Sequence, residues 1–171
     1  QHRLRGFFHD SETEIRNLNQ KQNNSESMET IKDDTKFQNF LFVGQIEYHK
    51  GVILLIKAFL SALESQPNLK LTIVGSGSKL TEAQNLSKNY PQIIFSGRKE
   101  AAEIKEIMAA SDCLVIPSLC YENTPMTIHE AHNAGLAVLA ANIGGIPEIV
   151  NNNDRLFKPG DIMDLKKHLL S

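Results

Sequence analysis

No apolar run in this sequence approaches the roughly 20 residues that a membrane-spanning helix needs; the longest, residues 51–60, is interrupted by Lys57. Nor does a basic start lead into an apolar stretch and a small-residue cleavage site, so no secretory leader is expected. A basic excess is missing too. With 18 Lys and Arg against 20 Asp and Glu the formal net charge is −2, and the pI is near 6.3. That balance argues against nucleic acid as a partner. It still allows a small phosphorylated ligand, which asks only for one or two cations and some main-chain amides. Cysteine is scarce: Cys113 and Cys120 make no disulfide framework, and Cys113, opening an apolar run, reads as a small buried hydrophobe. These absences point to a cytoplasmic protein with no transmembrane segment, and leave attachment at a membrane surface open.

What is present is globular in character: 171 residues, 41% hydrophobic and 22% charged, enough for one domain with its own core. Composition shifts near Phe37. Residues 9–36 are mostly Asn, Gln, Ser, Glu, Lys and Asp, too polar to offset the entropy of ordering them. Residues 1–36 are therefore read as a flexible polar linker or remnant, and 37–171 as the domain. Within it, apolar runs at 40–43, 69–74, 93–95, 113–116, 137–140 and 155–157 read as strands. Between them lie helical patterns at 51–65, 80–89, 101–110, 126–134 and 147–150, and a last one runs from 162 toward the end. Strands apolar on both faces, alternating with helices, predict an α/β fold: a Rossmann-like parallel sheet of about six strands with helices on both faces. Ligands of such sheets sit beyond the carboxyl ends of the strands, so the loops after each strand are where chemistry is expected.

Three of those loops stand out. Residues 44–51, Gly-Gln-Ile-Glu-Tyr-His-Lys-Gly, put Lys50 beside a helix start, where open amides and the helix dipole favour phosphate. A solvated lysine beside a turn glycine fits the same residues. Gly75-Ser76-Gly77-Ser78 either admits a ligand close to the backbone or makes a tight turn. Leu80 stands where the dinucleotide fingerprint needs its third glycine, so nicotinamide cofactors are set aside and no cofactor is expected. The third loop, within 117–131, holds Glu122 after a strand and Glu130 inside the next helix, with the amides of 124–127 between them. A ligand along that helix start would meet both carboxylates, which accept vicinal hydroxyls well; the plainer reading is two surface glutamates. His129-Glu130-x-x-Asn133 lacks the second histidine of the zinc motif. His129 and His132 read as surface or packing residues, and no metal is expected. After the next strand comes Gly144-Gly145-Ile146-Pro147-Glu148, whose glutamate suits the start of a short helix.

Taken in order, Phe-Val-Gly-x5-Lys-Gly at 42–51, Ile-Val-Gly-x-Gly at 73–77, Phe-x-Gly at 95–97, Pro-Ser at 117–118, Glu-x7-Glu-Ala at 122–131 and Gly-Gly-x-x-Glu at 144–148 resemble the C-terminal domain of group 1 glycosyltransferases. The resemblance runs from about residue 40 to 170. It implies a retaining enzyme of two Rossmann-like domains, moving a hexosyl group from a nucleotide-diphosphate sugar donor to an unknown glycan, lipid or small-molecule acceptor. It further implies that a missing N-terminal Rossmann-like domain carries the acceptor site, and that this stretch alone binds donor without transferring sugar. On this resemblance Lys50 contacts the diphosphate and Glu122 the hydroxyls of the transferred sugar, the two serving as the catalytic pair. Asn123, Pro125, Met126 and Thr127 surround sugar and phosphates, and Glu130 takes the ribose hydroxyls. Gly97 and Arg98 edge the base, while Gly75 and Gly77 clear space for the nucleotide.

Two departures from the family pattern bear on this. Gln45 stands where many relatives have an arginine that joins the lysine on the diphosphate. Charge-assisted hydrogen bonds are worth roughly 1.5–3 kcal/mol against about 1 for neutral ones, so weaker donor binding or impaired catalysis is expected. Asn152-Asn153-Asp154-Arg155-Leu156 lacks the glycine that relatives often carry before the leucine, which implies a different turn. Two rival readings stay open: a nucleotide-sugar epimerase of the same architecture, and a non-catalytic nucleotide-sugar-binding module.

Overall fold

Side chains alternate across a strand, so a strand buried on both sides divides its residues between two cores. The computed structural model describes residues 37–123 and 125–171; the linker expected over 1–36 lies outside them. Its strands are β1 (Asn39–Val43), β2 (Lys70–Val74), β3 (Ile93–Gly97), β4 (Cys113–Ile116), β5 (Ala137–Ala141) and β6 (Arg155–Phe157). Its helices are α1 (Val52–Leu63), α2 (Leu80–Ser87), α3 (Ala101–Ala109), α4 (Met126–Asn133), α5 (Ile146–Ile149) and α6 (Ile162–Leu169), with a 3-10 turn at Tyr48–Lys50 before α1. The strands form one parallel sheet in the order β3-β2-β1-β4-β5-β6.

Phe40, Phe42, Leu71, Ile73, Cys113, Val115 and Leu139 point to one face, where Phe59 of α1, Ala83 of α2 and Leu165 of α6 close over them. Leu41, Leu114, Ile116, Val138 and Ala140 point to the other, under Met108 of α3, Ile128 and Ala131 of α4 and Ile146 of α5. Each large apolar side chain so buried contributes about 1.5–3 kcal/mol. α1 is apolar nearly all round because it is covered twice, by the sheet and by α6. Three caps set helix starts: Glu100 and Glu103 form a capping box on α3, Asp161 accepts from the Met163 and Asp164 amides on α6, and Gly51 turns the chain into α1 at a φ of 75°.

The chain leaves β1 toward β2 and β3, then returns through α3 to β4 on β1's other side. β1 and β4 are therefore neighbours whose following helices, α1 and α4, cover opposite faces of the sheet. This topological switch point opens a crevice at the carboxyl ends of the two strands.

Candidate functional site

Two cavities of about 260 Å³ each open at that end of the sheet, and they share Val43, Gly44 and Gln45 as a common wall. The first lies over β1, β2 and β3, bounded by Gly75, Ser76, Arg98, Lys99 and Ile104. Main-chain bonds lace its floor. The Gly44 amide donates to Val74 O at 3.0 Å, Ile46 to Ser76 O at 2.9 Å, Lys79 to Ile46 O at 2.9 Å and Gly75 to Gly97 O at 2.7 Å. Glu47 adds a side-chain tie, accepting from the Ser78 amide at 2.8 Å and the Ser78 hydroxyl at 2.6 Å. Those bonds, the hydroxyl's above all, hold the Glu47 carboxyl below its usual range. A Cβ on Gly75 would lie 1.9 Å from Gly44 O, and one on Gly77 2.4 Å from Ile46 O. The room these glycines leave is filled by the protein's own 44–46 backbone, so their part is to let two loops close on each other. Gly75 borders the cavity, while Gly77 and Gly97 line neither.

The second cavity lies over the switch point, lined by Lys50, Pro117, Ser118, Glu122, Pro125, Met126 and Thr127 among others. Lys50 ends the 3-10 turn, which sits hard against the segment after β4. The Leu119 amide donates to His49 O at 2.8 Å, and a Cβ on Gly51 would fall 1.7 Å from Pro117 O. Only glycine joins that turn to α1. Lys50 Nζ thereby comes within 2.6 Å of Glu122 Oε1, an ion pair joining residues 72 apart in sequence. Ser118 donates its hydroxyl to the same oxygen at 3.1 Å. The Glu122 main chain is held from the far side by the glycine pair after β5. The Gly145 amide donates to Glu122 O at 2.8 Å, and a Cβ on Gly144 would lie 2.4 Å from that oxygen. A Cβ on Gly145 would lie 2.1 Å from Asn123 O.

α4 begins at this cavity, with Pro125 as an extended N-cap that offers no side-chain bond. First-turn amides of a helix have no intrahelical acceptor, and they carry the positive end of its dipole. Thr124, expected to supply one such amide, lies outside the described residues. Glu130 is exposed and lines neither cavity. The structure thus does not bring the two glutamates into one pocket. Helical spacing does put Glu130 on the stripe of Met126 and Thr127, four and three residues before it. Asn123 is exposed, and its carbonyl abuts Gly145.

Other sequence features have structural partners. His132 bonds the fully buried carboxylate of Asp154 at 2.7 Å; Asp154 also accepts from the Val138 and Asn151 amides, each within 2.9 Å, which shapes the 151–154 turn. His129 is exposed. Burial pushes the Cys113 thiol up to about 12, so it stays protonated and packs as an apolar group. Among the described residues no three His, Cys, Asp or Glu side chains gather as a metal site, and no helix is long and apolar enough to cross a membrane. Sequence reasoning assigned no role to Ser118 or to Gly144 and Gly145, although the Pro-Ser and Gly-Gly pairs after β4 and β5 were visible.

The chain is similar to known proteins over most of this length. It is 34% identical to an uncharacterized glycosyltransferase of Methanocaldococcus jannaschii over 125 residues, covering 71% of this chain and 31% of that protein. The solved structure of HepE from Anabaena in complex with UDP-glucose superposes with a TM-score of 0.69 at 24% identity, over 94% of this chain and 43% of HepE. The C-terminal domain of a group 1 glycosyl transferase, LpcC from Francisella tularensis, superposes with a TM-score of 0.68 at 26% identity, over 77% of this chain and 73% of that domain. The chain spans only 24% to 31% of the length of the first curated relatives it matches. The family pattern of the group 1 glycosyl transferases matches residues 23–171, and the chain belongs to that family.

Proposed function

We propose that residues 37–171 hold a nucleotide-diphosphate sugar for a retaining glycosyltransferase, which moves a hexosyl group to a glycan, lipid or small-molecule acceptor in the cytoplasm. The observation that carries this reading is the convergence of Lys50, Glu122 and the start of α4 on one cavity at the switch point. That cavity shares a wall with a second one bounded by Arg98. Two compartments with a common wall suit a ligand with two ends. The base belongs over β1–β3 beside Arg98, the diphosphate across Gly44 and Gln45 near Lys50, and the sugar by Glu122, Asn123, Pro125, Met126 and Thr127. Glu130, on the α4 stripe of Met126 and Thr127, is left for the ribose hydroxyls.

As the sugar departs, negative charge builds on the diphosphate oxygen. The Lys50 ammonium and the first amides of α4 are fixed in place before that happens, which is how preorganised donors lower a barrier. The acceptor and the group that takes its proton are assigned to a part of the protein outside residues 37–171, so this stretch alone binds without transfer. HepE, solved with UDP and with UDP-glucose, supports a ligand of this class.

Calorimetric titration with UDP, GDP, UDP-glucose and GDP-mannose tests the reading. At least one sugar conjugate should bind, and Lys50→Met should weaken it roughly 10- to 100-fold while leaving the plain nucleoside unaffected. Equal loss for nucleoside and diphosphate would remove Lys50 from the phosphate site. Gln45, uncharged on the wall both cavities share, favours one second reading: a binding module without transfer. Donor binding by the full-length protein with no sugar transfer would select it.

A further inference from the structure

The Lys50–Glu122 pair has a consequence that rests on the proposed donor site but goes beyond it. The two side chains keep only 29% and 16% of their exposure, and the Ser118 hydroxyl that braces Glu122 belongs to a residue 2% exposed. The Gly144–Gly145 contact fixes the main chain beneath. Glu122 therefore has little freedom to swing away, and any phosphate reaching Lys50 must come close to its carboxylate. Among the described residues the second carboxylate oxygen, Oε2, accepts no hydrogen bond.

Two ligands that share a nucleoside differ at this point. A bare nucleoside diphosphate ends in a phosphate that carries an extra ionisable oxygen, and the Glu122 charge repels it. The sugar ester of the same diphosphate has lost that ionisation and presents hydroxyls, which donate to a carboxylate. We infer that the Lys50–Glu122 pair, anchored by the Ser118 hydroxyl, is a selector: it favours a diphosphate esterified by a sugar over the same diphosphate bare. Ser118 acts through Glu122 and is a positioning residue.

Calorimetry on the purified chain with UDP against UDP-glucose, and GDP against GDP-mannose, reads the selection directly. Glu122→Gln keeps the shape and removes the charge, freeing Lys50 as well. It should tighten the bare diphosphate about 3- to 5-fold and loosen its sugar conjugate by a similar factor. The gain for the bare diphosphate should shrink as salt rises. Ser118→Ala should shift both ligands in those same directions by smaller factors. A site merely loosened by mutation would lose affinity for both ligands together, so opposite signs report charge selection and not damage. If Glu122→Gln weakens the bare diphosphate or leaves it unchanged, the selector is overturned while the donor site stands. If the unaltered chain binds none of the four probes, both readings fall.

Discussion

Over β1, β2 and β3 the cavity is walled by main chain, its loops laced amide to carbonyl and closed by glycines with no room for a Cβ. Over β1 and β4 the cavity of the same size is completed by side chains, an ammonium and a carboxylate braced by a hydroxyl. Ligand binding in the second half should answer to charge more than in the first. Salt and neutralising substitutions ought to act on the switch-point cavity, whereas a Cβ on Gly75 or on Gly51 would strain the loops of either half.

The largest expected effect tests the main-chain half. A Cβ on Gly75 would lie 1.9 Å from Gly44 O at a φ of 140°. Gly75→Ala should therefore cost about 3–5 kcal/mol, combining backbone strain with overpacking. Gly97 also has a positive φ, 67°, but nothing stands within 4 Å of its would-be Cβ, so Gly97→Ala should cost about 1–2 kcal/mol. Urea unfolding compares them, and equal losses would show that steric closure does not set this half.

An intermediate effect belongs to the shared wall. Gln45→Arg should tighten nucleoside diphosphate binding about tenfold, leave the nucleoside nearly unaffected, and lose the gain as salt rises. Equal tightening of nucleoside and diphosphate would mean that the wall does not face phosphate.

The smallest effect belongs to a charged tie in the main-chain half, between Glu47 and Ser78. Ser78 holds the folded-state pKa of Glu47 below the ordinary 4.5. A carboxylate lowered in this way adds stability above its unfolded pKa and loses it as pH falls through the folded value. Glu47→Gln should thus lower Tm slightly at pH 7, and the gap from the unaltered protein should close as the medium is acidified below about pH 4. A gap that stays constant across that range would mean the charge on Glu47 is irrelevant.

The sheet was legible because strands covered on both sides must be apolar throughout: β4, buried along its whole length, has the bounds read from its apolar run. β3 runs on to Gly97 because backbone pairing with Val74 continues, past a register shift, after the apolar signal stops at Phe95. The 3-10 turn at Tyr48–Lys50 is too short to show a period. In the site, Lys50 and Glu122 were legible as residues in loops after strands, but their pairing depends on β1 lying beside β4 and no local pattern encodes that. Glycines at 75 and 77 announce close approach without saying what approaches, and the answer is another loop. The reach of Glu130 could not be read either, since spacing along the chain gives its helix stripe and not the depth of the pocket.

The contact of Gly144 and Gly145 with the backbone of Glu122 and Asn123 limits how a chain of this build can change its ligand. An insertion in either loop would have to be matched in the other, because their main chains touch with no side chain between them to absorb the difference. Altered ligand preference is therefore reached through side chains around a fixed loop path. For redesign, the positions to randomise are Gln45, Met126 and Thr127, with the lengths of both loops held constant.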